Sequence, residues 1–329
     1  MNTLFETGQD GGTATTHDWL NRCHFGDCLE TLRGMPDGLV QTCVTSPPYF
    51  GLRDYGHAGQ IGLEPTPDEF IAKLVTVFRE VRRVLRDDGT LWLNIGDSYT
   101  SGGRTHERDP DAKNVAVGTG AKRAALPDGL KPKDLIGIPW MLAFALRADG
   151  WYLRQDIIWA KATSGVSREG NGMPESVRDR CAKSHEYLFL LAKSERYYFD
   201  CDAIKEPAQN WGTRDRSNMR QGTTDPKLKH GGLSDCSHEM GNRRSVWRVN
   251  PSNYQGAHFA TFPTALITPC ILAGAPAGGI VLDPFFGSGT TGQVAQALGR
   301  QFIGIELNDA YKPLQDERLR QPSLLLEAA

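Results

Sequence analysis

The chain has 329 residues, 39% of them hydrophobic, and a formal net charge of −2. That length and apolar content suit one large α/β core plus a smaller insertion, and the near-neutral balance gives no general affinity for nucleic acid. No apolar run reaches membrane length and the first 17 residues are polar rather than signal-like, which excludes a membrane-spanning class; the seven cysteines contain no C-x-x-C pair, and Cys23 and Cys28 are too far apart for a zinc knuckle, so no metal is expected and the cysteines read as reduced and structural in a soluble intracellular protein.

In chain order, residues 1–18 are read as a loose tail. Phe25-Gly26-Asp27-Cys28-Leu29-Glu30 gives a strand end and then a short helix through Leu32, for which Asp27 is a suitable N-cap. The apolar run Leu39 to Cys43 leads into Val44-Thr45-Ser46-Pro47-Pro48-Tyr49. Two prolines with fixed φ and no N–H leave the main chain only carbonyl acceptors to offer, held rigidly at a strand end. Ser46 adds a hydroxyl oxygen and Tyr49 a flat face, a set that suits a planar ring carrying an exocyclic NH2. Taken alone, the tetrapeptide is equally a surface turn after an edge strand.

Phe50 to Gly56, including Arg53, is a glycine-punctuated loop bordering that corner. Thr66-Pro67-Asp68-Glu69 opens a helix with Phe70, Leu74, Val77, Phe78, Val81, Val84 and Leu85 on one face, stopped by Asp87-Asp88-Gly89. Thr90 to Ile95 is the next buried strand; in a parallel sheet, Gly96 to Tyr99 lie at the same edge as Ser46. From about 100 to 133 periodicity is lost, which predicts a long mobile insertion. A helix over Ile138 to Leu146, a strand over Tyr152 to Trp159 and an antiparallel hairpin strand over His185 to Leu191 follow.

Residues 203–250 hold few apolar positions. Lys205 to Asn250 carries nine basic against five acidic residues, and such a segment on a near-neutral chain suits a phosphate backbone, or is a solvated loop. Ile280 to Asp283 then reads as a buried strand, followed by the turn Pro284-Phe285-Phe286-Gly287-Ser288-Gly289-Thr290-Thr291 and a helix through Val294, Ala295 and Leu298. Glycines there permit close approach of a ligand. The strand Phe302 to Ile305 ends on Glu306, where a nucleoside ribose would present its hydroxyls. No Lys follows the glycines, so this is not a phosphate loop, and the G-x-x-G spacing of a dehydrogenase is missing.

With Ser46 to Tyr49 preceding Phe285-Phe286-Gly287-Ser288-Gly289, the chain resembles the permuted, β-class amino-DNA methyltransferases from about His24 to Asn308. The resemblance implies an α/β, Rossmann-like methyltransferase fold: a mostly parallel seven-stranded sheet with one antiparallel strand, circularly permuted motif order and a target-recognition insertion at 203–250. Residues 19–202 would be the catalytic part and 251–329 the cofactor-binding part. It implies S-adenosyl-L-methionine as cofactor, held by Asp27, Thr45, Asp283, Pro284, Phe285, Phe286, Gly287, Ser288, Gly289, Thr290, Glu306 and Asn308, with His258 and Thr261 at the methionine end. Ser46, Pro47, Pro48 and Tyr49 would be catalytic. Arg53, Arg214, Arg216, Arg220, Lys227, Lys229, Arg243 and Arg244 are the expected contacts to double-stranded DNA.

The implied chemistry has the Ser46 oxygen and Pro47 carbonyl accept the amine hydrogens of a flipped base stacked on Tyr49. It serves N6 of adenine and N4 of cytosine alike. Because it needs no strong base, His185 and Glu186 are read as strand-end residues rather than a catalytic pair. Pro269-Cys270 matches the nucleophile dipeptide of cytosine-C5 methyltransferases, but lies in mid-helix and is set aside. The alternatives are an RNA or protein-amide N-methyltransferase and a non-catalytic DNA-binding module. No nuclease partner is evident, a homodimer is left open, and the expected setting is the cytoplasm of a bacterium, phage-encoded or not, at the nucleoid.

Overall fold

The computed structural model describes residues 16–52, 56–57, 59–100, 130–161, 178–208, 240–251 and 262–320. Of the expected DNA contacts, Arg53, Arg214, Arg216, Arg220, Lys227 and Lys229 lie outside these residues, as do His258, Thr261, most of the tail and most of the 100–133 insertion.

In chain order the elements are α1 (Thr16–Trp19), β1 (Arg22–Phe25), α2 (Cys28–Gly34), β2 (Val40–Thr45), α3 (Pro67–Val84), β3 (Leu85–Ile95), α4 (Ile138–Ala148), β4 (Tyr152–Lys161), β5 (His185–Ala192), β6 (Glu206–Pro207), β7 (Met240–Gly241), β8 (Val246–Val249), α5 (Thr264–Gly274), β9 (Ile280–Asp283), α6 (Thr290–Ala297), β10 (Gln301–Glu306) and α7 (Lys312–Leu319). Eight strands form one sheet in the order β1-β10-β9-β2-β3-β5-β4-β8, while β6 and β7 make a separate ribbon. Among the described residues, β5 is the only strand of the eight-stranded sheet that runs against its neighbours, and the β6–β7 ribbon is antiparallel. The sheet thus has one strand more than the seven expected. The extra strand, β8, comes from the segment read as a recognition insertion, because Trp247 and Val249 are buried against the sheet face and Trp159 donates its indole N–H to the Val249 carbonyl at 3.0 Å.

Both faces of the sheet are covered, so its strands are apolar on both sides. Cys43, Leu91, Leu93, Ile95, Leu282, Ile303 and Ile305 face α2, α3 and α4, while Val44, Trp92, Val281 and Phe302 face α5 and α6. Helix α3 forms as its sequence requires: Thr66 Oγ1 accepts the Glu69 amide at 3.2 Å, Pro67 fills the first turn, and Phe70, Leu74, Phe78 and Val81 are fully buried. The helix does not stop at Asp87-Asp88-Gly89. It ends at Val84, and β3 starts at once with Leu85 paired to Val40, then bulges before Thr90 pairs with Thr42. Gly89 is needed in that bulge, since a Cβ there would sit 2.9 Å from the Arg86 carbonyl oxygen.

Candidate active site

The sheet's topology gathers the chemistry at one edge. Strands β1, β10, β9, β2, β3, β4 and β8 end there, and the antiparallel β5 begins there. Gly26-Asp27, Glu306-Asn308, the glycine turn, Thr45-Tyr49, Gly96-Tyr99, Lys161 and His185-Glu186 therefore share one rim.

The two motifs touch. Thr45 Oγ1 donates to Asp283 Oδ1 at 2.7 Å, and Thr291 Oγ1 donates to Asp283 Oδ2 at 2.6 Å. The Phe285 amide adds a third donor at 3.0 Å. Asp283 is 1% exposed. Burial is the largest influence on its carboxyl pKa and lifts it to about 6, against the pull of Thr291, Thr45 and the Phe285 amide and with a further push from Glu306.

The turn after Asp283 is built by glycines in the left-handed region, with φ of 53° at Gly287 and 86° at Gly289. Glu306 holds the turn: its Oε2 accepts the Gly287 amide at 2.7 Å and its Oε1 the Asn308 amide at 2.9 Å. Burial raises the Glu306 pKa while the amides of Asn308, Gly287 and Leu307 oppose the rise. A carboxylate offers about four acceptor sites, so these two amides leave room for further donors. Asn308 accepts the Ala310 amide at 3.0 Å, and Thr290 accepts from Arg318. Asp27 caps α2 by accepting the Glu30 amide at 3.0 Å; the preceding Gly26 donates to the Glu306 carbonyl, which sets Asp27 beside Glu306.

The Phe286 side chain is part of the core. Its ring is 3% exposed and lies parallel to Phe302 at 5.5 Å. A Cβ on Gly304 would fall 2.4 Å from that ring and one on Gly292 2.7 Å. The side chain is a core plug in a slot made by two glycines, which leaves only its backbone for a ligand. Ser288, in contrast, has a buried hydroxyl without a protein partner among the described residues. An orphaned hydroxyl in a glycine turn, with an acid at each neighbouring strand end, fits a nucleoside cofactor with amine and hydroxyl donors.

At the other motif, Pro47 is buried and Ser46, Pro48 and Tyr49 are half-buried. The Tyr49 ring lies against Gly96, where a Cβ would be 2.5 Å from Cε2. Its hydroxyl donates to Glu186 Oε2 at 2.6 Å, with Ser46 neighbouring the same oxygen. Burial first, and the facing Glu186 second, raise the phenol pKa well above its usual value, so Tyr49 acts as a neutral donor. Glu186 Oε1 pairs with Lys161 Nζ at 2.6 Å, and Asn94 Nδ2 approaches Oε2 at 3.4 Å.

Sequence reasoning therefore missed Glu186 as part of the corner. It also missed Gln315 on α7, whose amide donates to the Gly287 carbonyl at 2.7 Å. Only the pairing of β5 against β3 brings Glu186 to Tyr49, and no local pattern encodes that. Asp97, at the same rim, caps α4 by accepting the Gly137 amide at 3.0 Å and the Ile138 amide at 3.2 Å. Of the basic residues expected to be free for phosphate, Arg244 is paired with Glu206 and Arg243 lies over the Trp247 ring at 4.7 Å. Arg244 stays exposed and Arg243 half-buried in these contacts.

Residues 40–317 match the N6_N4_Mtase family, described as DNA methylase. The chain is 53% identical over 294 residues to the Type II methyltransferase M.SmaI of Serratia marcescens, which covers 89% of both chains. It is 53% identical over 295 residues to the Type II methyltransferase M.Cfr9I of Citrobacter freundii, covering 90% of this chain and 86% of that one. In fold it is similar to the cytosine-N4-specific PvuII DNA methyltransferase, with a TM-score of 0.59, 17% identity and coverage of 93% and 88%. It is also similar in fold to a DNA modification methylase of Thermus thermophilus, TTHA0409, complexed with S-adenosyl-L-methionine, with a TM-score of 0.56, 24% identity and coverage of 92% and 95%. The chain belongs to this N6/N4 DNA methylase family and is an S-adenosyl-L-methionine-dependent DNA amino-methyltransferase.

Proposed function

We propose that the protein methylates the exocyclic amine of a base flipped out of duplex DNA, at N6 of adenine or N4 of cytosine, within a fixed recognition sequence. The observation that carries this reading is the Thr45–Asp283 hydrogen bond, which puts the serine-proline corner beside the glycine turn. S-adenosyl-L-methionine supplies an electrophilic methyl group when bound.

Asp27, Asp283, Ser288, Glu306 and the backbone from Phe285 to Thr290 hold that cofactor in this reading, with Asn308 at the rim and His258 and Thr261 at the methionine end. Ser46 Oγ and the Pro47 carbonyl accept the two amine hydrogens. The amine lone pair, otherwise delocalised into the ring, is then localised for attack, and positioning supplies much of the rate. Pro48 fixes the corner and Tyr49 stacks on the base. Stacking of about 1 to 3 kcal/mol offsets a flipping cost of a few kcal/mol. Arg53, Arg214, Arg216, Arg220, Lys227, Lys229, Arg243 and Arg244 are the DNA contacts of this reading, by charge and sequence position. The names of the relatives suggest a modification enzyme of a type II restriction–modification pair whose nuclease is a separate chain, working on cytoplasmic DNA. Among the described residues no helix is long and apolar enough to cross a membrane.

The test is transfer of labelled methyl groups to duplex DNA, RNA and protein, followed by modification-sensitive sequencing of the DNA. Methylated DNA with a single target base and a fixed site is expected. Transfer to RNA or protein instead of DNA overturns the reading.

A further inference from the structure

Methylating an exocyclic NH2 leaves a nitrogen with a methyl group, two hydrogens and a positive charge, and one proton must go. An aspartate in the first position of the catalytic corner could take that proton and keep it. A serine cannot. Ser46 can accept a proton only by passing its own onward, so an enzyme built on serine needs a further acceptor.

The structure offers one. Tyr49 Oη donates to Glu186 Oε2 at 2.6 Å, and Glu186 Oε1 meets Lys161 Nζ at 2.6 Å, with the two side chains 12% and 27% exposed respectively. The Ser46 side chain neighbours the same Tyr49 oxygen, and Gly96 lies against the Tyr49 ring. A carboxylate only accepts, so the Tyr49 proton is turned to Glu186 and the Tyr49 oxygen keeps its lone pairs for a proton arriving from Ser46, whose own oxygen keeps lone pairs for the amine.

Resting on the function proposed above, we infer that Ser46, Tyr49 and Glu186 form a one-way proton exit from the amine under methylation, ending on the Glu186 carboxylate. The nitrogen gives a proton to Ser46 Oγ, Ser46 gives its own to Tyr49 Oη, and Tyr49 gives its own to Glu186. Each hydroxyl gains one O–H bond and loses one. The cationic nitrogen and the anionic carboxylate both end neutral. The proton then leaves to solvent at the partly exposed Lys161 edge. The ammonium beside Glu186 makes the carboxylate a weaker base, yet an ammonium nitrogen attached to an electron-poor ring is a far stronger acid than a carboxylic acid, so the transfer runs downhill.

Glu186→Gln separates relay from scaffold, because glutamine keeps an acceptor oxygen for the Tyr49 hydroxyl and cannot take the proton. In single-turnover methyl transfer to duplex DNA at saturating S-adenosyl-L-methionine, E186Q is expected to be about 100-fold slower, with cofactor affinity and the 2-aminopurine flipping signal within about twofold of wild type. Tyr49→Phe, which keeps the stacking face, is expected to match it, and the double variant to be no worse than either single. E186Q at nearly wild-type rate, additive losses in the double variant, or a loss of base flipping in E186Q each overturn the relay. A wild-type protein that transfers no methyl group to DNA overturns the function proposed above, and the relay with it. An active wild type with an unimpaired E186Q overturns the relay alone.

Discussion

Thr45 donates its hydroxyl to the buried Asp283 carboxylate at 2.7 Å across 238 positions of sequence. Neither residue is at the tip of its motif: Thr45 ends β2 and Asp283 ends β9, strands that pair directly through Thr42–Val281 and Cys43–Leu282. Parallel pairing in this register sends both chains out of the sheet at the same level, so the catalytic corner and the glycine turn are neighbours by construction.

Asp283 makes that junction sensitive to pH. Its folded pKa of about 6 lies above the ordinary 3.8, so the native state holds a proton between these values that the unfolded chain has lost. Its contribution to stability is greatest below the unfolded value and is lost as pH rises through about 6. Linkage gives a loss of about 1 to 2 kcal/mol between pH 5 and pH 8. Urea unfolding of wild type and Asp283→Asn across that range is expected to show the wild type losing this much relative to the variant. Parallel curves would contradict the buried charge.

Ser46→Ala tests the catalytic corner. In the reading above the hydroxyl serves the incoming amine and not the cofactor. Turnover is expected to fall about 100-fold while cofactor affinity stays within about twofold. A variant with intact turnover and weakened cofactor binding would assign Ser46 to the wrong site.

Much of this site could be read from the sequence. Ser46 to Tyr49 and Asp283 to Gly289 are local, their backbone chemistry is set by proline and glycine, and a short buried run places each at a strand end. What could not be read is long-range or packing-dependent. Glu186 reaches Tyr49 through antiparallel pairing of β5 with β3, and Gln315 reaches Gly287 from a helix near the end of the described chain. Sequence shows the charge of Arg243 and Arg244 and not their neighbours, which are Trp247 and Glu206. Phe286 looked like a ligand contact by its place in the motif, while Gly304 and Gly292, the residues that open a slot for it, lie in other elements.

Cys270 follows the Pro269 that gives it the look of a cytosine-C5 nucleophile. It is fully buried within α5, its thiol is held to the Leu266 carbonyl at 3.4 Å, and burial drives its pKa far upward. A thiolate nucleophile there is ruled out by its surroundings. Under native conditions alkylation is expected at the exposed Cys181 and Cys201 and not at Cys270. Cys270→Ala is expected to keep methyl transfer at the wild-type rate and to lose about 1 kcal/mol of stability from the small void. Mass spectrometry of the alkylated protein, with turnover of the variant, checks both.

Gly96 and Gly304 play the same part at the two halves of the site. Each makes space for the aromatic ring of the neighbouring motif: a Cβ would be 2.5 Å from Tyr49 at Gly96 and 2.4 Å from Phe286 at Gly304. Carbon contacts are comfortable at about 3.5 to 4.0 Å, so an added methyl must push either ring by about 1 Å. Both Gly96→Ala and Gly304→Ala are expected to cost about 1 to 3 kcal/mol by overpacking. Their functional losses should differ in kind. In the function proposed above Tyr49 is the base platform, so G96A is expected to lose the 2-aminopurine flipping signal with cofactor affinity kept. Displacing Phe286 tilts the turn that carries Gly287 and Ser288, so G304A is expected to weaken S-adenosyl-L-methionine binding, read by calorimetry, with flipping at saturating cofactor kept. Identical profiles for the two variants would mean that these rings do not serve separate halves of the site.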